Sequence, residues 1–167
     1  MTIKITKATD INRTENWKVL LYGKPGLGKT SAIKGLSGKT LVLDLDGSSR
    51  VLAGLKNVDV ISFNREEPIQ SMKEFLNESK NLINGYNTLV IDNLTAFEKD
   101  WFVARGLNSK NGIRNEIQDY GDYTNYFLRL ISKIYSLPIN IYATAWESKR
   151  DVDLEDGTKL TEYIPDV

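Results

Sequence analysis

The chain has 167 residues, of which 22 are basic and 22 acidic, and it contains neither cysteine nor histidine. This length suits one domain with its own core, and the balanced charge gives no global sign of a nucleic-acid or membrane partner. Disulfides, thiol chemistry and histidine-based catalysis are excluded, so a general base would be a carboxylate or an activated water. No stretch is apolar over the length of a membrane span and the N-terminus lacks a signal-peptide core, which predicts a cytoplasmic protein.

Apolar runs alternate with helical patterns along most of the chain. Residues 1–16 alternate weakly and then become polar, which favours an N-terminal arm or an edge strand, and we expect the core to occupy residues 17–167. Short apolar runs bounded by turns predict buried strands, whereas apolar residues at helical spacing predict helices. The predicted strands are 17–22, 39–44, 58–63, 88–92 and 139–144, and the predicted helices are 30–36, 68–82, 94–105 and 113–136.

The last part of the chain has the pattern of a β-hairpin. Residues 149–163 alternate around Asp156-Gly157, a dipeptide typical of a tight hairpin turn. Together with the alternating strands and helices, this predicts an α/β fold with a mainly parallel sheet, helices on both of its faces and a C-terminal hairpin. The chain stops at 165–167 without a closing element, so we expect it to be a fragment of a longer polypeptide.

Residues 23–30 match G-x-x-x-x-G-K-[ST], the phosphate-binding P-loop, between a predicted strand and a predicted helix. The glycines let backbone N–H groups face an anion at the positive end of the following helix. We expect Lys29 to reach the β- and γ-phosphates and the Thr30 hydroxyl to ligate Mg²⁺. An ordinary glycine turn is the alternative, which the strand before and the helix after disfavour. The predicted nucleotide-binding residues are Gly23, Lys24, Pro25, Gly26, Leu27, Gly28, Lys29, Thr30 and Ser31.

Asp92 ends the apolar strand 88–92, at the edge where ligands bind in such sheets. It is therefore the expected Walker B acid, which holds the Mg²⁺ shell opposite Thr30. The alternative is an aspartate that only caps its strand. The next residue is Asn93, where many P-loop ATPases have a water-activating glutamate, so another group must polarise the water or hydrolysis is slow.

Two other places supply candidates for that role. Asp44 and Asp46 end the second strand and would face the γ-phosphate if that strand neighbours the P-loop strand, and Asp46 is the preferred one. The alternative is that both are solvated carboxylates bound to their own backbone. Glu147, just after the last predicted strand, is the second candidate, and it is also expected to sense the γ-phosphate. Thr144, near the end of the last predicted strand, is expected to sense the γ-phosphate unless it merely packs there as a β-branched residue.

Basic residues occur on two predicted loops that we expect at the same end of the sheet. Surface cations are usually only solvated, but a group of them can follow the backbone of a single-stranded nucleic acid. The candidate DNA-binding residues are Lys110, Arg114, Lys149, Arg150 and Lys159.

Five segments of the chain, taken in order, resemble a known family. Residues 23–30, 41–47, 89–93, 118–121 (Gln-Asp-Tyr-Gly) and 141–147 are similar to those of phage-encoded P-loop ATPases. These are relatives of the RecA/RadA recombinase core that are grouped with single-strand annealing proteins. The resemblance covers about residues 17–165, and its specific part is the Gln-Asp-Tyr-Gly segment together with the order of the elements.

The resemblance implies a RecA-like ATPase that uses ATP and Mg²⁺ and assembles as a homo-oligomer on single-stranded DNA, each site being completed by a neighbour's basic residue. In RecA-like ATPases the catalytic glutamate follows the strand after the P-loop helix, which assigns that role to Asp46. Aspartate is shorter, which predicts weak or DNA-stimulated hydrolysis. The DNA-facing loops would correspond to residues 106–115 and 147–159.

Two other functions stay open at this point. One is a non-hydrolysing nucleotide switch, in which ATP orders loops for a protein partner. The other is a nucleotide or small-molecule kinase, which would need an arginine-rich lid over the phosphates that the hairpin matches poorly.

Overall fold

A computed structural model describes residues 5–10, 16–110, 112–155 and 157–167 of the chain. Five of the strands within these ranges form a parallel sheet in the order β1-β5-β4-β2-β3, and β6 and β7 form an antiparallel hairpin. The strands are β1 (Lys18–Tyr22), β2 (Thr40–Asp44), β3 (Val58–Ser62), β4 (Thr88–Asp92), β5 (Asn140–Ala145), β6 (Glu147–Asp153) and β7 (Lys159–Pro165). The α-helices are α1 (Pro68–Leu82), α2 (Leu94–Leu107) and α3 (Ile117–Tyr135). The predicted α/β fold with its C-terminal hairpin is confirmed.

The two faces of the sheet are covered differently. The three α-helices pack on one face, over side chains such as Leu43, Ile91 and Ile141. On the other face, Val90 and its strand neighbours pack with residues of two short 3₁₀ helices, Ser31–Gly35 and Ser49–Leu52, and with Leu36 and Leu55. The central strands are apolar throughout because both of their faces are covered. Helices are therefore present on both faces, as predicted, but they are α-helices on one face and short 3₁₀ helices on the other.

The P-loop strand is less buried than the sequence predicted. β1 lies at the edge of the sheet and pairs with β5 alone, and Val19 and Leu21 are 43% and 39% exposed. An apolar run of five residues indicates a strand, but it does not reveal whether a second neighbour covers it. The prediction that residues 17–22 form a buried strand is wrong in this respect.

The helix predicted over residues 30–36 is a 3₁₀ helix, Ser31–Gly35. Gly35 ends it, and Gly38 follows with φ +79°. A segment this short recovers few hydrogen bonds for the cost of nucleating an α-helix, so the tighter turn is formed instead. The macrodipole of such a short helix is small, and phosphate binding must depend mainly on the N–H groups of the P-loop itself.

Helix α3 begins at Ile117, four residues later than predicted. Asn115 Nδ2 donates to Phe102 O at 2.8 Å, which holds the preceding segment against α2. Glu116 and Asp119 then form a capping box that starts the helix. Ile117 and Tyr120, in its first turn, are exposed, whereas the later apolar residues of α3 pack in the core: Tyr123, Phe127, Ile131 and Ile134.

The two ends of the chain are described only in part. The prediction of an arm or edge strand over residues 1–16 falls largely outside the described residues, and the described part, residues 5–10, contains a 3₁₀ helix, Ala8–Asp10. The hairpin extends two residues further at each end than predicted. Its turn is closed by Leu154 N–H, which donates to Thr158 O, and Gly157 has φ +80°; Asp156 lies outside the described residues.

Candidate nucleotide-binding site

The P-loop follows β1 and folds around the ammonium group of its own lysine. Gly26 and Gly28 have φ of +82° and +84°, a conformation that other residues rarely adopt, which explains glycine at both positions. Lys29 Nζ donates to Gly23 O at 2.7 Å and to Lys24 O at 2.8 Å. The ammonium group is thus held by two carbonyl groups that phosphate oxygens can replace as acceptors.

Lys29 is also the positive charge at the centre of an acidic site. Partial burial lowers the pKa of Lys29, and the charges of Asp92, Asp46 and Glu147 act in the opposite direction. The three predicted catalytic carboxylates are therefore all close enough to Lys29 to act on its charge.

The two predicted magnesium ligands are in direct contact. Asp92, which ends β4 and is 2% exposed, accepts a hydrogen bond from Thr30 Oγ1 at 2.6 Å through its Oδ2 atom. Ser48 Oγ donates to the same oxygen at 3.3 Å, and Thr144 Oγ1 donates to Oδ1. A hydroxyl beside a carboxylate suits Mg²⁺, which usually takes one or two carboxylates together with phosphates and water. Within the described ranges, no group of three or more His, Cys, Asp or Glu side chains is placed to hold a metal ion.

Asp44 and Asp46 have different environments at the end of β2. Asp44 accepts from three backbone N–H groups, those of Gly47 (2.9 Å), Ser48 (3.1 Å) and Ser49 (3.2 Å), so it matches the alternative of a carboxylate bound to its own loop. Asp46 accepts from Ser48 N at 2.9 Å and from Asn93 Nδ2 at 2.7 Å. Burial raises the pKa of Asp46, and the nearby carboxylates of Asp92 and Asp44 add to this effect, while the bonds from Ser48 oppose it.

Asp46 lines the same cavity as the P-loop, although the strand before it, β2, is not the neighbour of β1. β2 does not neighbour β1, because β5 and β4 lie between them. It lies beside β4 instead, in a register that pairs Asp44 with Asp92. Ser48 then connects the loop after β2 to the P-loop, since its Oγ lies 3.1 Å from Thr30 Oγ1.

These groups meet in a cavity of about 360 Å³, a volume within the usual range for small-molecule sites. It opens at the carboxyl ends of the parallel strands, where ligands bind in sheets of this kind. The lining residues are Pro25, Gly26, Gly28, Lys29, Thr30, Ser31, Asp46, Ser48, Val51, Asp92, Asn93 and Trp146.

Comparison with known protein families agrees with this geometry. A family model described as an AAA domain matches residues 15–167. The chain belongs to this family. The AAA domain is therefore a P-loop NTPase of the AAA type, and nucleotide binding is the activity that the family indicates. No curated protein matches the chain. None of the helices in the described part of the AAA domain is long and apolar enough to cross a membrane.

The two predicted γ-phosphate sensors lie behind and beside the cavity. Thr144 is fully buried and touches Asp92, so it can act on the nucleotide only through that carboxylate. Glu147 begins β6, and its Oε2 atom lies 4.0 Å from the position that a Cβ on Gly23 would take. Glu147 is thus beside the P-loop and near Lys29.

Besides Val51, sequence reasoning missed three residues of this AAA domain that line the cavity. Ser48 was assigned no role, and Asn93 was considered only because a glutamate is common at its position. Trp146 follows β5. Its backbone N–H donates to Thr95 Oγ1 at 2.8 Å, and Lys99 Nζ lies 4.0 Å from the centre of its indole ring. These residues share their position at the carboxyl ends of the parallel strands. Asn93 and Trp146 directly follow β4 and β5, and Ser48 lies on the loop after β2.

The candidate DNA-binding residues are exposed, and those of the hairpin have acidic or aromatic neighbours. Arg150 is paired in register with Glu162, Lys159 Nζ lies 4.0 Å from Asp153 Oδ1, and Lys149 lies over the ring of Tyr163. Acidic residues outnumber basic ones along the hairpin. Its charge alone therefore does not mark it as a phosphate-binding track. The other two candidates, on the segment before α3, are Lys110 and Arg114.

Proposed function

We propose that this AAA domain binds ATP with Mg²⁺ and hydrolyses it slowly, with single-stranded DNA as the effector. The observation that carries the ATPase part is the cavity that brings Lys29, Thr30, Asp46 and Asp92 together at one edge of the sheet. A P-loop lysine, a hydroxyl, a strand-end carboxylate and a second carboxylate are the groups that phosphoryl transfer to water requires.

Each group has a role that follows from its contacts. The Lys29 ammonium exchanges its bonds to Gly23 O and Lys24 O for bonds to the β- and γ-phosphate oxygens. Thr30 Oγ1 and the Asp92 carboxylate, already in contact, provide the oxygen ligands for Mg²⁺. Bound Mg²⁺ supplies charge neutralisation at the phosphates.

Asp46 orients the attacking water in this proposal. Its carboxylate lies in the wall of the cavity, and its hydrogen bonds from Ser48 and Asn93 leave a lone pair free to accept from a water molecule. Burial and the neighbouring carboxylates raise the pKa of Asp46, which makes it a stronger base than a solvated aspartate. Asn93 cannot take this role because an amide is not a base.

The DNA part of the proposal is supported by the resemblance to RecA/RadA-like phage ATPases and by five exposed cations: Lys110, Arg114, Lys149, Arg150 and Lys159. On this view the protein acts as a homo-oligomer on single-stranded DNA during phage recombination or annealing, in the host cytoplasm. Binding of this kind would weaken with salt, because phosphate contacts release counterions.

One observation favours a different function. Asn93 stands where many P-loop ATPases have a glutamate, and an ATP-bound state that persists would suit a nucleotide switch for a protein partner. The switch binds ATP through the same residues but does not turn it over.

ATP hydrolysis with and without single-stranded DNA tests the proposal. The wild type is compared with Lys29→Ala and with Lys34→Ala, which removes an exposed lysine of the following 3₁₀ helix. DNA-stimulated turnover that Lys29→Ala abolishes and Lys34→Ala retains is the expected result. Turnover without stimulation and without ATP-dependent DNA retention would overturn the DNA part. ATP binding without turnover would favour the switch, and transfer of phosphate to a small acceptor would identify a kinase.

A further inference from the structure

Asn93 uses both ends of its side-chain amide. It is 2% exposed and is the N-cap of α2, where its Oδ1 accepts from Ala96 N at 2.8 Å. Its Nδ2 donates to Asp46 Oδ2 at 2.7 Å. The orientation of the amide is fixed by this pair, because a flip would set an NH₂ group against the Ala96 N–H and a carbonyl oxygen against the Asp46 carboxylate.

We infer that Asn93 is a positioning residue for Asp46, which it holds at the wall of the nucleotide cavity in the orientation needed to align the attacking water. The inference rests on the ATP hydrolysis proposed above and adds to it the residue that makes a short carboxylate effective. It also explains why a glutamate is absent after Asp92. A carboxylate at position 93 would face the carboxylate of Asp46 at hydrogen-bonding distance, and like charges that close repel.

The backbone around Asp46 is held independently of Asn93. Leu45 N donates to Asp92 O at 2.6 Å, and Arg65 Nη1 lies 3.4 Å from Asp46 O. These contacts fix the loop but not the rotation of the Asp46 side chain. That rotation is fixed by bonds from Ser48, whose N–H donates to Oδ1, and from Asn93, whose Nδ2 donates to Oδ2.

Among the described residues, loss of the Asn93 donor leaves the Asp46 carboxylate held by Ser48 alone. The carboxylate can then rotate more freely out of the orientation that the bond from Asn93 maintains. Displacement of a reactive group by about 1 Å can reduce a rate on the order of 10²-fold. The binding of nucleotide by the P-loop does not use Asp46, so affinity should change little.

Two substitutions separate positioning from helix capping. Asn93→Asp keeps the size of the side chain and an oxygen for Ala96 N, but it replaces the donor to Asp46 by an acceptor. Asn93→Ser keeps a good N-cap and removes the donor without adding charge. Asn125→Asp is the control for the added charge, because Asn125 is exposed on α3 and donates to Gly121 O within its own helix.

We expect kcat to fall about tenfold or more in both Asn93 variants, within the range that misplacement produces, while the affinity for a non-hydrolysable ATP analogue stays near that of the wild type. Asn125→Asp should behave as the wild type in both measurements. If the Asn93 variants turn over ATP at the wild-type rate while Lys29→Ala does not, the positioning role is overturned and the ATPase proposal stands. If the wild type itself shows no Lys29-dependent turnover, the ATPase proposal fails and the positioning role fails with it.

The double variant Asp46→Asn/Asn93→Asp provides a second test. It rebuilds the hydrogen bond with donor and acceptor exchanged, so its thermal stability should exceed that of Asn93→Asp alone. Turnover should stay low because position 46 no longer carries a carboxylate. Recovery of wild-type turnover in the double variant would show that only the bond matters, and would overturn the positioning role.

Discussion

Thr144 and Asp92 are joined by a hydrogen bond between the side chains of neighbouring strands, from Thr144 Oγ1 to Asp92 Oδ1. Thr30 Oγ1 donates to the other carboxylate oxygen at 2.6 Å. Because Thr144 is fully buried, no water can take the place of its hydroxyl as a donor to Asp92 without a change of structure. The orientation of the proposed magnesium-binding carboxylate thus depends on a residue that does not line the nucleotide cavity.

Replacement of this hydroxyl should therefore affect both stability and nucleotide binding. Thr144→Val keeps the shape of the side chain and leaves one oxygen of the buried Asp92 carboxylate without a donor, which costs about 1–3 kcal/mol or more for a charged group. We expect a lower free energy of unfolding, weaker Mg²⁺-dependent ATP binding and slower turnover. Denaturant unfolding and ATP binding with and without EDTA measure these effects, and Thr144→Ser should restore them.

The chain contains a matched control for this substitution. Thr40 is also fully buried, at the start of β2, and its hydroxyl has no hydrogen-bond partner among the described residues. Thr40→Val should be neutral or stabilising by about 1 kcal/mol, since it removes a desolvated hydroxyl without breaking a bond. Equal effects of the two substitutions on stability and on ATP binding would contradict the proposed role of the Thr144–Asp92 bond.

Asp46 and Asp44 should respond differently to the same change. Asp46→Asn should bind ATP normally and lose about 10²- to 10⁴-fold in turnover, the range for loss of a general base. Asp44→Asn should lower stability, binding and turnover together, because an amide has one acceptor oxygen and Asp44 now serves three backbone N–H groups. Single-turnover rates and equilibrium binding separate the two patterns. Wild-type turnover in Asp46→Asn would remove Asp46 from the mechanism.

The sequence was sufficient for the elements and for the P-loop because both are local patterns. Strand positions follow from apolar runs of five or six residues, and the P-loop is a continuous motif. The order of strands was not predictable in this way, since it depends on contacts between distant segments. For this reason β1 was expected to be buried, and β2 was considered as a neighbour of β1 rather than of β4.

The partners of the polar side chains were also beyond sequence reasoning. Asp44 and Asp46 are two residues apart and of the same type. Both accept from the backbone of their own loop, but Asp46 also accepts from Asn93. The difference depends on the register between β2 and β4, which the sequence does not display. At position 93 the sequence shows only that a glutamate is missing, and it gives no indication of the hydrogen bonds that Asn93 makes.

The Gln-Asp-Tyr-Gly segment, on which the resemblance partly depends, has a structural role that can be tested by pH. Asp119 Oδ2 accepts from Glu116 N at 2.8 Å, and Oδ1 accepts from Arg105 Nε at 2.9 Å. The bond from Glu116 and the charge of Arg105 hold the pKa of Asp119 below its usual value. A lowered pKa stabilises the fold above the unfolded-state value of about 4, and the contribution is lost as pH falls through the folded-state value.

Asp119→Asn should accordingly destabilise the protein at neutral pH, and its difference from the wild type should shrink below about pH 4. Asp122→Asn is the control, because Asp122 also pairs with Arg105 at 2.8 Å but is exposed and has no part in the capping box. Its effect should be small, as is usual for surface ion pairs. Unfolding temperatures between pH 7 and pH 3 provide the comparison. A difference for Asp119→Asn that stays constant over this range would contradict the assignment.

Two buried tyrosines should limit stability at high pH. The hydroxyl groups of Tyr123 and Tyr126 have no hydrogen-bond partner among the described residues, and burial raises the pKa of Tyr126 to about 12. Burial raises the pKa of Tyr123 as well, and the charge of Glu98 adds to this effect. Because burial penalises the ionised form, these tyrosines ionise first in the unfolded state, above its pKa of about 10, and the fold loses stability as pH rises from there toward the folded-state pKa. The free energy of unfolding should therefore decline above about pH 10 in the wild type and less steeply in Tyr123→Phe.

At pH 7 Tyr123→Phe should be neutral or more stable by about 1 kcal/mol, because it removes an unpaired buried hydroxyl. Denaturant unfolding between pH 7 and pH 11 tests both expectations, and a marked loss of stability in Tyr123→Phe at pH 7 would show that its hydroxyl has a partner.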